Sequence, residues 1–178
     1  MKLKISIFLL FIFHILAFSQ ESLSIPVTPS KDQELDKIVG YARTLSEFDG
    51  SINAYTKLKA YLNVLDSKGM AALKSHPSYP ILGDVYMYGA VYLSKEYKED
   101  KIIEFYKKAL ELRADPNSNY RLATIYKKRF DESVKKNDTQ KEKEYGKKVY
   151  EHLNTYMILS GNKSAKYKEI LQYFSAYK

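Results

Sequence analysis

One stretch, residues 79–116, limits what this chain can fold into more than any other: YPILGDVYMYGAVYLSKEYKEDKIIEFYKKALELRADP. Ile81, Leu82, Val85, Tyr86, Tyr88, Gly89, Tyr92 and Leu93 recur at three- and four-residue spacing, the period of a helix with one buried face. Pro80 falls in the first turn, where a missing N–H is harmless, and Ser78 is placed to cap. A polar turn, residues 94–100, separates this helix from a second that buries Ile102, Ile103, Tyr106, Ala109 and Leu110. Asp115-Pro116 ends the second helix and opens a third, because proline is tolerated at the first helical position but not inside. The stretch therefore predicts two antiparallel helices. The small residues Gly89, Ala90 and Ala109 mark where helices approach closely.

The same pattern returns further along. Tyr88, Gly89 and Tyr92 recur as Leu122, Ala123 and Tyr126, each 34 residues later. In the next helix Gly146, Tyr150 and Leu153 take the second half of the pattern, with about ten extra residues between the two halves. This resembles the tetratricopeptide repeat, whose pattern runs L-G-x-x-Y, then A-x-x-x-F-x-x-A, then P. Ile102 stands in place of the family's first alanine, and Pro116 comes two residues late. The resemblance implies an all-α fold: antiparallel helix hairpins stacked as a short solenoid, with a C-terminal helix capping the last exposed face. An ordinary antiparallel helical bundle fits the same spacing.

Composition agrees with helices and removes some chemistries. The 178 residues include no cysteine, which excludes disulfides, thiol catalysis and a lipid-modified N-terminal cysteine. Five prolines and seven glycines are too few for a turn-rich β protein. The 17 tyrosines suit helix–helix contacts in which the ring is packed and the hydroxyl stays wet.

Residues 1–19 read as a cleavable signal peptide. Lys2 and Lys4 precede an apolar run too short to span a membrane, and Ala17-Phe18-Ser19 is a cleavage site. Residues 20–31 hold two prolines and no period, as a flexible linker does. Residues 32–178 form the helical repeat domain. In its first part, Ser30 with Gln33 predicts a capping box ahead of a helix burying Leu35, Ile38, Val39, Ala42, Leu45 and Phe48. Ser51 caps a helix burying Ile52, Tyr55, Leu58, Tyr61, Leu62 and Leu65, which ends at Gly69. These two make a hairpin, degenerate as a repeat because Arg43 stands where tyrosine is wanted. Asp138 or Thr139 caps a long helix stopped at Gly161, and a last helix runs over residues 165–177.

No grouping of residues points to catalysis. His76 and His152 have no partner at metal-ligand spacing and read as ordinary surface or boundary histidines. No serine lies in G-x-S-x-G, and the carboxylate pairs sit in charged stretches. The expectation is a binding module without catalysis, metal or cofactor. Charge is uneven: residues 20–120 carry 13 Lys/Arg and 14 Asp/Glu, whereas residues 121–178 carry 14 and 7. Lys135, Lys136, Lys147 and Lys148 belong to this basic third. It either meets an anionic envelope component or keeps the protein soluble. With an export signal in front, nucleic acid is the weakest anionic choice.

The resemblance further implies a groove lined by the first helix of each pair, with Asp84, Met87, Val91, Arg121, Thr124 and Lys128 on the side that meets a protein partner. The sequence thus predicts a periplasmic or secreted protein-binding or scaffold module with no transmembrane segment once the signal is removed. A helical-bundle enzyme with an unrecognised site and a structural subunit of an envelope complex remain as alternatives.

Overall fold

The computed structural model describes residues 30–178. The signal peptide and nearly all of the linker read from the sequence lie outside the described residues. Among the described residues the structure is all α, with no strand. The helices are α1 (Gln33–Ala42), α2 (Ile52–Lys68), α3 (Met70–Lys74), α4 (Tyr79–Tyr92), α5 (Glu99–Leu112), α6 (Pro116–Lys135), α7 (Thr139–Ser160) and α8 (Ala165–Phe174). Short 3-10 turns, Leu45–Glu47 and Ser175–Tyr177, follow α1 and α8.

Local chemistry sets most of the boundaries. Asp115 accepts the N–H of Ser118, and Pro116 occupies the first turn of α6. Ser51 accepts the N–H of Ala54, Asp138 that of Lys141, and Gly161 closes α7 in the left-handed region at φ 63. Two cap expectations fail. At α1 the capping group is Asp32, which accepts from Glu34 and Leu35; Ser30 instead donates its N–H to the Asp36 carboxylate at 3.0 Å. Ser78 occupies the N-cap position of α4, but its side chain makes no capping bond.

α4 and α5 pack antiparallel, and so do α6 and α7. The start of α4 meets the end of α5 at Gly83, where an added Cβ would lie 3.2 Å from the Ala109 carbonyl oxygen and 3.3 Å from Leu112 Cβ. In the second hairpin Tyr120 meets Tyr156 near one end, and Tyr126 meets Tyr145 toward the other. Ala109 is fully buried between helices, but the close approach is made by Gly83, not by Gly89. Gly89 faces α2 and receives Leu62, whose Cδ1 would be 2.8 Å from an added Cβ.

The first part differs from the hairpin the sequence predicts. α1 and α2 each pack more closely on α4 than on one another. They touch through side chains, with the Tyr41 and Tyr61 rings 4.9 Å apart and Lys68 paired to Asp32 at 2.7 Å. Leu35, Ile38, Val39, Leu58, Leu62 and Leu65 are all buried here, each contributing roughly 1.5–3 kcal/mol. Ile52 is not among them. It is 84% exposed, because it opens the first turn of α2 at the end remote from Leu62 and Leu65.

Polar ties join the layers. The Tyr86 hydroxyl donates to Asp66 of α2 at 2.8 Å, and Lys108 of α5 reaches the same carboxylate at 2.8 Å. His76 is also inside, at 4% exposure, contrary to the boundary position expected of it. Its Nδ1 accepts the Ser78 N–H at 3.1 Å, so the ring proton sits on Nε2 and is donated to Asp36 Oδ1 at 3.0 Å. At the far end α8 turns Phe174 inward, and Phe130 meets both Phe174 and Tyr177 edge to face. One apolar core runs from Leu35 on α1 to Phe174 on α8.

Candidate functional site

A polar chain crosses both hairpins at the edge of this core, with Asp115 and Asn119 buried and Asp84, Arg113 and His152 half-buried. Asp84 stands on the otherwise uncharged helix α4, with Tyr88 one turn on. Arg113, the residue that ends α5, places Nη2 2.9 Å from Asp84 and 3.3 Å from Asp115. Asp115 is 2% exposed. It is locked as the cap of α6, its other oxygen accepting the Ser118 N–H at 2.6 Å. Asn119, one turn into α6, donates its amide to the Asp115 carbonyl at 3.0 Å, which leaves its own oxygen toward α7. There His152 Nδ1 lies 3.0 Å from that oxygen. Since the Asn119 oxygen can only accept, His152 carries its proton on Nδ1.

The electrostatics follow from enclosure and counting. Two carboxylates share one guanidinium nitrogen, so one negative charge is left without full compensation. Burial raises Asp84 to about 6; Arg113 offsets part of this, and Asp115 adds to it. The opposite end of the chain shifts the other way. Burial first, then Lys107 and Lys148, lower His152 to about 4, so the ring is neutral at pH 7. His152 lies parallel to the Tyr126 ring at 5.7 Å, and Lys148 lies 5.1 Å above the same ring. Burial also moves Tyr106 up to about 12.

The groove residues proposed from the sequence take different positions. Asp84 ends the polar chain with 22% of its side chain exposed. Met87 and Val91 are half-buried on the same helix, Met87 against the core. Arg121 and Thr124 are exposed, and the Thr124 hydroxyl turns back to the Tyr120 carbonyl at 2.9 Å. Lys128 pairs with Glu99 of α5 at 3.1 Å.

The basic third is neutralised locally over much of its length. Lys148 pairs with Glu144, Lys147 lies 4.0 Å from Glu151, and Arg129 pairs with Glu99 and Asp100. Lys135 and Lys136, at the end of α6, have no ion pair among the described residues. Two open clefts of about 300 and 270 Å³ lie between α5, α6 and α7 and share Arg129 and Tyr145. Lys148 lines the first and Lys136 the second.

Sequence reasoning singled out Asp84 but missed its partner Arg113, and Asn119 and His152 further along the chain. The one local signal was Asp115-Pro116, which fixes a carboxylate at a helix start two residues after an arginine and four before an asparagine. Among the described residues no three metal-ligating side chains come together, and no helix is long and apolar enough to cross a membrane. Comparison with protein-family models, with curated proteins and with solved structures finds no match.

Proposed function

We propose that this chain is an exported, tetratricopeptide-like helical module that binds another protein or an anionic envelope component and carries out no chemistry of its own. The observation that carries the reading is the pair of consecutive antiparallel hairpins, α4–α5 and α6–α7. Their first helices hold the same three-position pattern 34 residues apart. Stacked hairpins keep one side of each first helix available to a partner. Of the groove side chains expected from the sequence, Met87 and Val91 on α4 are half-buried and Arg121, Thr124 and Lys128 on α6 are exposed, while Asp84 is held by Arg113. The mixture is apolar on α4 and basic-polar on α6, which suits a polypeptide segment better than a flat charged surface.

The test separates groove from charge. A partner captured from envelope extract is titrated at low and high salt against three forms: the unaltered protein, Met87→Ser with Val91→Ser, and Lys135→Gln with Lys136→Gln, Lys147→Gln and Lys148→Gln. The groove reading expects affinity that survives added salt and falls about tenfold or more in the first variant. An anionic partner gives the reverse, because exposed charges are screened beyond about 8 Å at physiological ionic strength. If neither variant alters binding, the reading fails. Export is checked separately: the mature protein is expected to begin at Gln20, and an intact Met1 on protein recovered outside the cytoplasm would exclude cleavage.

A further inference from the structure

We propose that the chain Asp84–Arg113–Asp115–Asn119–His152 is a proton-operated joint between the two hairpins, tightened when Asp84 takes up a proton. The geometry sets up two states. With Asp84 ionised, Arg113 Nη2 is divided between two carboxylates at 2.9 and 3.3 Å. Of these contacts only the one to Asp115 has hydrogen-bond geometry. With Asp84 neutral, the guanidinium belongs to Asp115 alone. Asp115 is the residue that caps α6 and accepts from Ser118, while its carbonyl holds Asn119. A proton on α4 therefore strengthens the corner from which the second hairpin starts.

The groups around the joint are few and come from every element packed there. α4 supplies Asp84 and Tyr88, and α5 supplies Tyr106 and Arg113. The turn supplies Asp115, α6 supplies Arg121, and α7 supplies His152 through Asn119, with Lys107 of α5 and Lys148 of α7 facing His152. Among the described residues Arg113 is the single cation in contact with both carboxylates. Arg113 Nε is enclosed and finds no acceptor among the described residues, and both carboxylates meet the same nitrogen, Nη2, so they compete for it. Enclosure and the neighbouring Asp115 both favour the neutral form of Asp84, consistent with its position near 6 instead of the ordinary 3.8.

The sign is opposite to that of an ordinary salt-bridged carboxylate. A carboxyl group whose folded value is raised holds its proton more tightly in the folded state. Its ionisation penalty is in force above pH 6 and disappears as pH falls from about 6 to 3.8. Two units correspond to about a hundredfold in the folding equilibrium.

The experiment uses the whole mature chain and compares it with Asp84→Asn, which is neutral at every pH and fills the same space. Denaturant unfolding at a series of pH values is expected to give the variant an unfolding constant about a hundredfold smaller than that of the unaltered protein at pH 7.5. The gap should close by pH 4. All other groups titrate in both proteins, so the difference isolates Asp84. Asp115→Asn, which retains a capping side chain, is the second variant. It removes the like charge, and the Asp84 midpoint, read from its carboxyl carbon resonance, should move down. A gap that stays constant with pH, or an Asp84→Asn protein that is the less stable at pH 7.5, overturns the proposal. An Asp84 resonance titrating among the exposed carboxylates overturns it as well.

Discussion

The two hairpins repeat a pattern but live in different surroundings. α4 carries a single charged residue, Asp84, whereas α6 carries seven. The cause is enclosure: α4 is covered by α1, α2 and α3 as well as by its own partner α5, while α6 rests chiefly on α5 and α7. Matching positions accordingly do different jobs. Gly89 on α4 is a seat for Leu62 from α2, a helix with no counterpart in the second hairpin. Its equivalent Ala123 is simply buried. Tyr88 and Tyr92 stay half-exposed in a stacked ladder with Phe48, but Leu122 and Tyr126 are fully inside. A repeat of sequence thus fixes the helix and its inward face. Position along the fold determines what that face meets.

The strongest way to break this comparison is at the α4–α5 contact. Ala109 is completely buried, and Gly83 lets its carbonyl approach. Ala109→Asp places a charge there with no partner, at a cost of about 4 kcal/mol or more. A domain of this size has only about 5–15 kcal/mol in all. Circular dichroism melting should show a fold lost or barely retained at 37 °C. A melting temperature within a degree of the parent would mean that α4 and α5 do not meet at Ala109.

How much of this was legible in the sequence depends on the range of the interaction involved. Caps and stops are set by neighbours in the chain, and Ser51, Asp115-Pro116 and Gly161 announced them. Apolar periodicity placed Leu58, Leu62, Leu65, Val85, Ala109 and Tyr126 in the core, because a helical face needs only local spacing. Ile52 has the right spacing and the wrong neighbourhood: a first-turn residue is buried only if another element extends over it, and none of the described elements does. The polar chain was invisible for a related reason. Asp84, Arg113, Asn119 and His152 each look like solvated side chains, and only the docking of four helices removes most of their water. His76 is the same case, buried because α1 brings Asp36 to it.

The buried titratable groups sharpen the comparison. The first hairpin encloses an acid that prefers its proton; the second encloses a histidine that refuses one. His152, at about 4 in the folded protein against 6.5 in the unfolded chain, contributes stability that is fully present above pH 6.5. That stability is lost as pH falls toward 4, by about 2 kcal/mol at pH 5. Asp84 runs the other way over nearly the same range. Replacing His152 with Gln keeps a donor for Asn119 and removes the titration. Between pH 7 and pH 5 the unaltered protein should lose about 2 kcal/mol relative to this variant. If the difference is flat, the ring is not enclosed and the second hairpin is looser than its contacts imply.

The smallest expected effects come from two glycines, and their ranking tests which contacts belong to the core. At Gly83 a methyl group would meet backbone and the root of a side chain, the Ala109 carbonyl at 3.2 Å and Leu112 Cβ at 3.3 Å. Neither can swing aside without moving α5. Overpacking of this kind costs about 1–3 kcal/mol, against a gain of about 1 kcal/mol for alanine over glycine in a helix. Gly83→Ala should therefore destabilise by roughly 1 kcal/mol, net of those two. At Gly146 the clash is nominally worse, 2.6 Å to Tyr177 Cγ, but the obstacle is a ring in the last short turn. Its Cγ is the root of the side chain and clears only if the short turn itself shifts, giving up the hydrogen bond to Glu142 at 2.7 Å and the edge contact with Phe130. Helix propensity then offsets most of the loss, and Gly146→Ala should change stability by less than about 0.5 kcal/mol. Amide exchange over residues 174–178 should nonetheless speed up, because the turn has been displaced. Should Gly146→Ala prove the more damaging of the two, Tyr177 would be an integral part of the α6–α7 core. The second hairpin would then be enclosed at its far end as firmly as α4 is at the near one.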